Sequence, residues 1–312
     1  MPEQAPPPRL NALTIDVEDY FQVQAFDGRI ARADWAGLPR RVEANTDRLL
    51  ELFAGAGVQA TFFTLAWVAE RHPALIRRIV AAGHELASHG SDHTRVDTQT
   101  AADFRADIRH SKQILEDIGG VGVRGYRAAT FSINARTPWA FDVLAEEGFH
   151  YSSSTYPIRH DLYGAPDAPR TPYRAGQGRQ EGAQEGGQGA LWEIPMTTWR
   201  VRGQNIPCAG GGYFRLLPYA LFRLLLRRAI QAHIPAAQTP AIFYLHPWEV
   251  DPDQPRVAGC SRMARFRHYT NLSRTAARLQ RLLGDFPWGR MDHAYADLLA
   301  GSSRPVAPLL AG

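Results

Sequence analysis

The stretch VQATFFTLAWVAERHPALIRRIVAAGHELASHG, residues 58–90, carries the reading of the fold. Val58 to Leu65 is rich in β-branched and aromatic residues and predicts a buried strand. Pro73 to Ala82 predicts a helix, with proline near its start and Gly83 past its end. His84 to Ser88 predicts a second short strand. Strand, helix and strand in this order form a βαβ unit, and such a crossover makes the two strands parallel.

The same alternation extends in both directions. Upstream, Leu10 to Asp16 predicts a strand, with Leu13 and Ile15 alternating against polar neighbours, followed by an amphipathic helix from about Arg40 to Ala54. Downstream come a helix over Thr100 to Ile118, a strand over Val121 to Tyr126, a helix over Pro138 to Glu147 and a strand over Phe149 to Ser153. Leu191 to Pro195 and Ala241 to Leu245 read as further strands, Leu217 to Ala232 and Thr270 to Leu283 as further helices. Repeated βαβ units predict an α/β fold, and the pattern suits a distorted, incomplete β/α barrel better than a doubly wound sheet.

The chain has 312 residues, with 45% hydrophobic and 21% charged, the composition of an ordinary globular protein. Its two cysteines, Cys208 and Cys260, are too few for a disulfide framework or a thiolate cluster. Lys+Arg outnumber Asp+Glu by 35 to 31, and Lys112 is the only lysine. The arginines are scattered without a like-charge block, so no nucleic-acid partner is expected. The opening MPEQAPPPR has no apolar run, and Leu216 to Ile230 is interrupted by Pro218, Arg223, Arg227 and Arg228. Neither reads as a secretory signal or a membrane span, so a cytoplasmic protein is expected.

Residues 1–9 are expected to be disordered, 10–290 to form one domain, and 291–312 to be a tail. The run AGQGRQEGAQEGGQGA, residues 175–190, has nothing to bury and is expected to be a flexible insert.

Chemistry-bearing residues collect at the predicted strand ends. The first strand ends in Asp16-Val17-Glu18-Asp19, the third in His89-Gly90-Ser91-Asp92-His93. The fourth runs into Arg127, and a late strand into His246-Pro247-Trp248. In β/α barrels the carboxyl ends of the strands converge on one face, where catalytic groups sit. His89 and His93, four apart, would face one way on a turn of helix or a tight helical loop. Two imidazoles and one carboxylate make a site for a borderline divalent metal. Three carboxylates in one loop repel one another unless cations compensate; a metal and an arginine would do so. The bland alternatives are a solvated acidic turn that caps a helix, an incidental histidine pair, and a core histidine at position 246.

Five segments resemble the NodB-type polysaccharide deacetylases, carbohydrate esterase family four. They are TIDVEDYFQV (14–23), GHELASHGSDH (83–93), RGYRAATFSI (124–133), YPIRHDLYG (156–164) and FYLHPWEVDPDQPR (243–256). With FRHYTNLSRTAARLQRLL (266–283), they look most like the branch found beside exopolysaccharide genes in bacteria with exosortase (PEP-CTERM) systems. The resemblance runs from residue 10 to about 290 and implies a family-specific extension over about 247–290. It implies metal-dependent N-deacetylation of an acetylated oligo- or polysaccharide, and association with exopolysaccharide biosynthesis machinery. Carried over by position, Asp16 is the general base, Arg127 orients it and His246 is the general acid. His89 and His93 ligate the metal with Glu18 or Asp19, the choice between them left open. Zinc suits that set, with cobalt and nickel as alternatives. A backbone N–H near Thr130 would help to stabilise the oxyanion.

Three departures from the family pattern stand out: Val17 where a second aspartate is common, Ala129 where proline is usual, and Ser152 where an aspartate is usual. If that aspartate tunes the catalytic histidine, another acid must do so here. Two rival functions remain: an allantoinase-like amidohydrolase, whose catalytic set would look similar but whose pocket is expected to be small and closed, and an inactive carbohydrate-binding module, against which the retained Asp16, His89, His93, Arg127 and His246 argue.

Overall fold

A computed structural model describes residues 9–176, 191–233 and 239–300; the predicted insert lies almost wholly outside the described residues. The strands are β1 (Asn11–Val17), β2 (Thr61–Thr64), β3 (Glu85–Ser88), β4 (Gly125–Tyr126), β5 (Tyr151–Ser152), β6 (Tyr173–Ala175), β7 (Leu191–Glu193), β8 (Thr198–Val201), β9 (Gln204–Pro207), β10 (Ile242–Leu245) and β11 (Trp288–Gly289). Nine of them form one sheet in the order β10-β1-β2-β3-β4-β5-β7-β6, with β11 added to β1. Neighbours from β10 to β7 are parallel, and only β6 runs antiparallel. No ladder joins β6 to β10 among the described residues, so the sheet is the incomplete barrel expected from the sequence.

Strand alternation sorts the core into two layers. Leu13, Ile15, Val17, Phe62, Leu86, Phe243 and Leu245 pack with the helices in one large apolar cluster. Ala12, Phe63, Ala87, Tyr151, Ile242 and Tyr244 belong to a second cluster with Met196, Met291 and Tyr295. The helices form where the apolar spacing allows. Val42–Ala56 buries Val42, Asn45, Thr46, Leu49 and Phe53 along one stripe and stops at Gly57, whose φ is 65°. Ala101–Gly119 buries Phe104, Ile108, Ser111 and Leu115 and is capped by the Thr100 hydroxyl, which accepts the Asp103 amide.

Several elements depart from the sequence expectation, among them β6, β11 and the helices Ala66–Arg71 and Gly211–Leu216. Thr198–Val201 and Gln204–Pro207 form a separate hairpin, and Arg262–Tyr269 is a helix. Residues 291–300, expected in the tail, form two short helices, Met291–Ala294 and Ala296–Ala300, and Met291 and Tyr295 are buried. They are held by polar contacts with the amino-terminal ends of β2 and β3, where the Met291 amide donates to Thr61 Oγ1 at 2.8 Å and the Asp292 amide to Glu85 Oε2 at 3.2 Å.

Candidate active site

Register brings the site together. Ile15 pairs with Leu245, Ser88 with Tyr126, and Tyr126 with Ser152. The next residues on these strands, Asp16, His246, His89, Arg127 and Ser153, therefore gather at the carboxyl end of the sheet. Asp16 and Glu18 are two apart and share a side, whereas Val17 points into the apolar layer beneath the helices. The departure at Val17 thus leaves both carboxylates at the site.

Arg127 has no exposed surface. Its Nη1 donates to Asp16 Oδ1 at 2.6 Å and to Thr14 Oγ1 at 2.8 Å. Its Nε and Nη2 donate to the Ser153 carbonyl and hydroxyl, and the guanidinium lies 4.1 Å from the centre of the Phe63 ring. A fork locked on four sides fixes one carboxylate oxygen and leaves the other, Oδ2, toward His246 Nε2 at 3.9 Å.

Glu18, His89 and His93 are all buried, and their ligand atoms lie within 4.8 Å of one another. The histidines are not on a helix. They flank a loop in which Gly90 (φ 81°) and His93 (φ 61°) both adopt left-handed backbone, and this turns the two rings to 5.4 Å between centroids. His89 Nδ1 meets the Arg127 carbonyl at 2.8 Å. That bond commits the Nδ1 proton and leaves Nε2 as a bare donor atom. Burial lowers the His89 pKa to about 4, so the ring is neutral. Glu18 Oε2 stands 3.0 Å from His93 Nε2, yet it is a buried oxygen with no hydrogen-bond donor aimed at it. Burial alone would raise the Glu18 carboxyl; the His93, His246 and His89 imidazoles outweigh it and hold the pKa at about 2. An anionic oxygen without a donor, beside two imidazoles, fits a divalent cation.

Asp19 does not join this group. Its Oδ2 accepts the Arg41 and Val42 amides at 2.7 and 3.0 Å, and its Oδ1 accepts the Tyr20 amide at 2.8 Å. It closes the start of the helix Val42–Ala56 from a distant loop, and its second oxygen is also spoken for.

His246 Nε2 lies 3.5 Å from Glu18 Oε1, and its Nδ1 lies 2.8 Å from Glu249 Oε1. Its ring stacks on Trp248 at 5.2 Å, and Trp248 stacks on His268 at 4.1 Å. Burial alone would lower the His246 pKa; Glu18, Glu249 and Asp16 outweigh it and raise it to about 9. Sequence reasoning missed Glu249 and its partner Arg215, whose Nε donates to Glu249 Oε2 at 2.6 Å. The spacing His246-x-x-Glu249 was a local signal; Arg215 had none. Ser152, in the place of the usual aspartate, bonds Ser154 instead.

Two clefts share Arg95, and the first of them reaches the site at His93. One, of about 540 Å³, is lined by His93, Gln24, Arg32, Trp35 and Arg95. The other, of about 620 Å³, is lined by Phe131, Asn134, His160, Tyr163 and again Arg95.

Residues 27–151 match the family model described as Polysaccharide deacetylase, and residues 153–296 match the Domain of unknown function DUF3473. The sheet runs through both matches without a break, since β4 pairs with β5 and β5 with β7. A peptidoglycan deacetylase of Helicobacter pylori is 30% identical over 125 residues, 40% of this chain and 40% of that protein. The match thus spans two fifths of that relative's length. A solved Mycobacterium smegmatis structure, assigned provisionally as a polysaccharide deacetylase, superposes with a TM-score of 0.59 at 20% identity, covering 96% of this chain and 94% of that one. Puue allantoinase superposes at 0.57 with 18% identity, covering 97% and 99%. At such identities these two structures speak for the fold alone.

Proposed function

We propose, from the polysaccharide deacetylase domain this chain carries and the site described above, that it is a metal-dependent hydrolase. In this reading it removes N-acetyl groups from the amino sugars of a bacterial exopolysaccharide or its precursor and releases acetate. The observation that carries the reading is the buried pairing of Asp16 with Arg127 beside Glu18, His89 and His93, with His246 Nε2 within 4 Å of both carboxylates.

Glu18, His89 and His93 would hold one divalent ion, zinc by preference, with cobalt or nickel as alternatives. Such an ion, when bound, acts as a Lewis acid toward the acetamide oxygen and the attacking water. Asp16 takes the water proton on Oδ2, since Arg127 occupies Oδ1 and fixes the orientation of the carboxylate. The loop at Thr130 and Phe131, held at φ 53° and 47°, offers the Thr130 amide to the developing oxyanion. His246 gives the proton on Nε2 to the leaving amine.

The two clefts that share Arg95 suit a chain of sugars better than the small closed pocket an allantoinase needs. Association with exopolysaccharide biosynthesis machinery follows from the same reading. A cytoplasmic setting is supported by Cys208 and Cys260, which are both free thiols. No helix among the described residues is long and apolar enough to cross a membrane.

The test is an acetate-release screen over N-acetylated amino-sugar oligomers, run after chelation and again with zinc, cobalt or nickel restored. Metal-dependent acetate release is expected. Ureide formation from allantoin without acetate release would favour the amidohydrolase, and no turnover with retained oligomer binding would favour a binding module.

A further inference from the structure

The region matched only by a domain of unknown function builds one side of the site. Arg215 is 1% exposed and lies in the short helix Gly211–Leu216. Besides Glu249, it donates to three carbonyls of another segment: Nη1 to His268 and Thr270 at 3.1 and 2.8 Å, and Nη2 to Arg267 at 3.0 Å. Glu249 has no exposed surface. One carboxylate oxygen takes the Arg215 Nε, and the other meets His246 Nδ1 and accepts the His246 backbone amide at 3.1 Å. Gly211 makes room for this carboxylate: a Cβ there would overlap both Glu249 carboxylate oxygens.

We infer that Arg215 and Glu249 are positioning residues, which aim His246 Nε2 at the leaving group by fixing the ring and its Nδ1 proton. The inference rests on the reading of His246 as the proton donor in amide hydrolysis. In that step the C–N bond of the tetrahedral intermediate breaks, and its electron pair goes to nitrogen. That nitrogen takes the proton from His246 Nε2, so acetate and a free amine result. A ring free to rotate about its own axis would present the proton in the wrong place. The carboxylate holds the ring, and Arg215 holds the carboxylate by anchoring it to the 267–270 segment.

The experiment separates orientation of the donor from general damage by changing the leaving group. An N-acetylated amino-sugar oligomer leaves as an amine and needs the proton, whereas 4-nitrophenyl acetate leaves as a phenolate and does not. Glu249→Gln is expected to lower kcat on the oligomer by about 10²-fold. KM, bound metal and turnover of the aryl ester should stay within about threefold of the parent. Arg215→Lys, which keeps the charge but loses the fork, should shift the same ratio in the same direction. Equal losses on both substrates, or no loss on either, would overturn the inference. A second measurement needs no variant to be active: ¹⁵N-histidine NMR of the parent protein should show a hydrogen-bonded, downfield Nδ1 proton on His246, assigned by its loss in His246→Gln. Absence of that proton would overturn the inference even if the variants fail to fold. If the parent protein releases no acetate from any oligomer while the Nδ1 proton is present, the proposed function fails and the positioning of His246 stands.

Discussion

Asp16, near the end of β1, and Glu18, just past it, sit two residues apart, yet their surroundings give them different capacities. Arg127 occupies one oxygen of Asp16, so that carboxylate is braced. One oxygen of Glu18 faces two imidazoles with no donor aimed at it, so that carboxylate is available to a cation. Asp16→Asn should therefore keep the bound metal and lower acetate release by about 10² to 10⁴, the usual contribution of a general base. Elemental analysis beside a kinetic assay checks this; loss of metal would make Asp16 a ligand. Glu18→Gln and His89→Ala should each lose nearly all bound metal. Asp19→Asn should retain it and instead cost about 1 kcal/mol in a denaturant titration, because an amide side chain offers one acceptor oxygen where two now accept backbone amides. Metal loss in Asp19→Asn with retention in Glu18→Gln would reverse the assignment.

At the scale of elements, the strand ends were legible because strand periodicity is local. Alternating residues from Leu13 to Val17 place Asp16 inward, and the apolar run before His246 does the same for the late strand. The loop joining His89 to His93 was not legible in that way. A four-residue spacing also fits a helix, and what brings the rings together is left-handed backbone at Gly90 and at His93 itself. The loop is fastened to the helix Ala101–Gly119, where Asp107 accepts the Ser91 amide at 2.8 Å. Glu249 and Arg215 were overlooked for a related reason: they meet across 34 positions, and no periodicity reports a buried ion pair of that separation. Gly90→Ala tests the loop. Its Cβ would stand 3.2 Å from Asp107 Oδ2, at a φ that costs an L residue about 1–2 kcal/mol. Calorimetric titration with zinc should show affinity weakened by about tenfold, with the fold retained by circular dichroism. Unchanged affinity would mean that the loop tolerates another path between the two histidines.

Across the whole molecule, the open sheet leaves polar groups to be satisfied at the end opposite the site, and His84 shows the consequence for stability. His84 precedes β3 and is buried against Phe62 and Phe53. Its Nδ1 accepts the Ala60 amide at 3.0 Å, a bond that only a ring unprotonated at Nδ1 can accept. Burial, with the nearby Arg290 cation adding to it, lowers the pKa to about 4 from the ordinary 6.5. The unfolded chain therefore takes up this proton first as the pH falls. Above pH 6.5 both states are neutral here and His84 adds no pH dependence. Between 6.5 and about 4 the unfolded state gains a proton that the folded state refuses, so stability declines across that window. With each pKa unit worth about 1.36 kcal/mol, the loss is on the order of 3 kcal/mol. His84→Asn keeps an acceptor near the Nδ1 position and removes the titration. Urea unfolding measured from pH 7.5 to 4 should show a constant offset from the parent protein above pH 6.5. Below it the parent should lose stability faster, and the two curves should converge or cross. Curves that stay parallel down to pH 4 would show that the folded protein binds a proton at His84 as readily as the unfolded chain does.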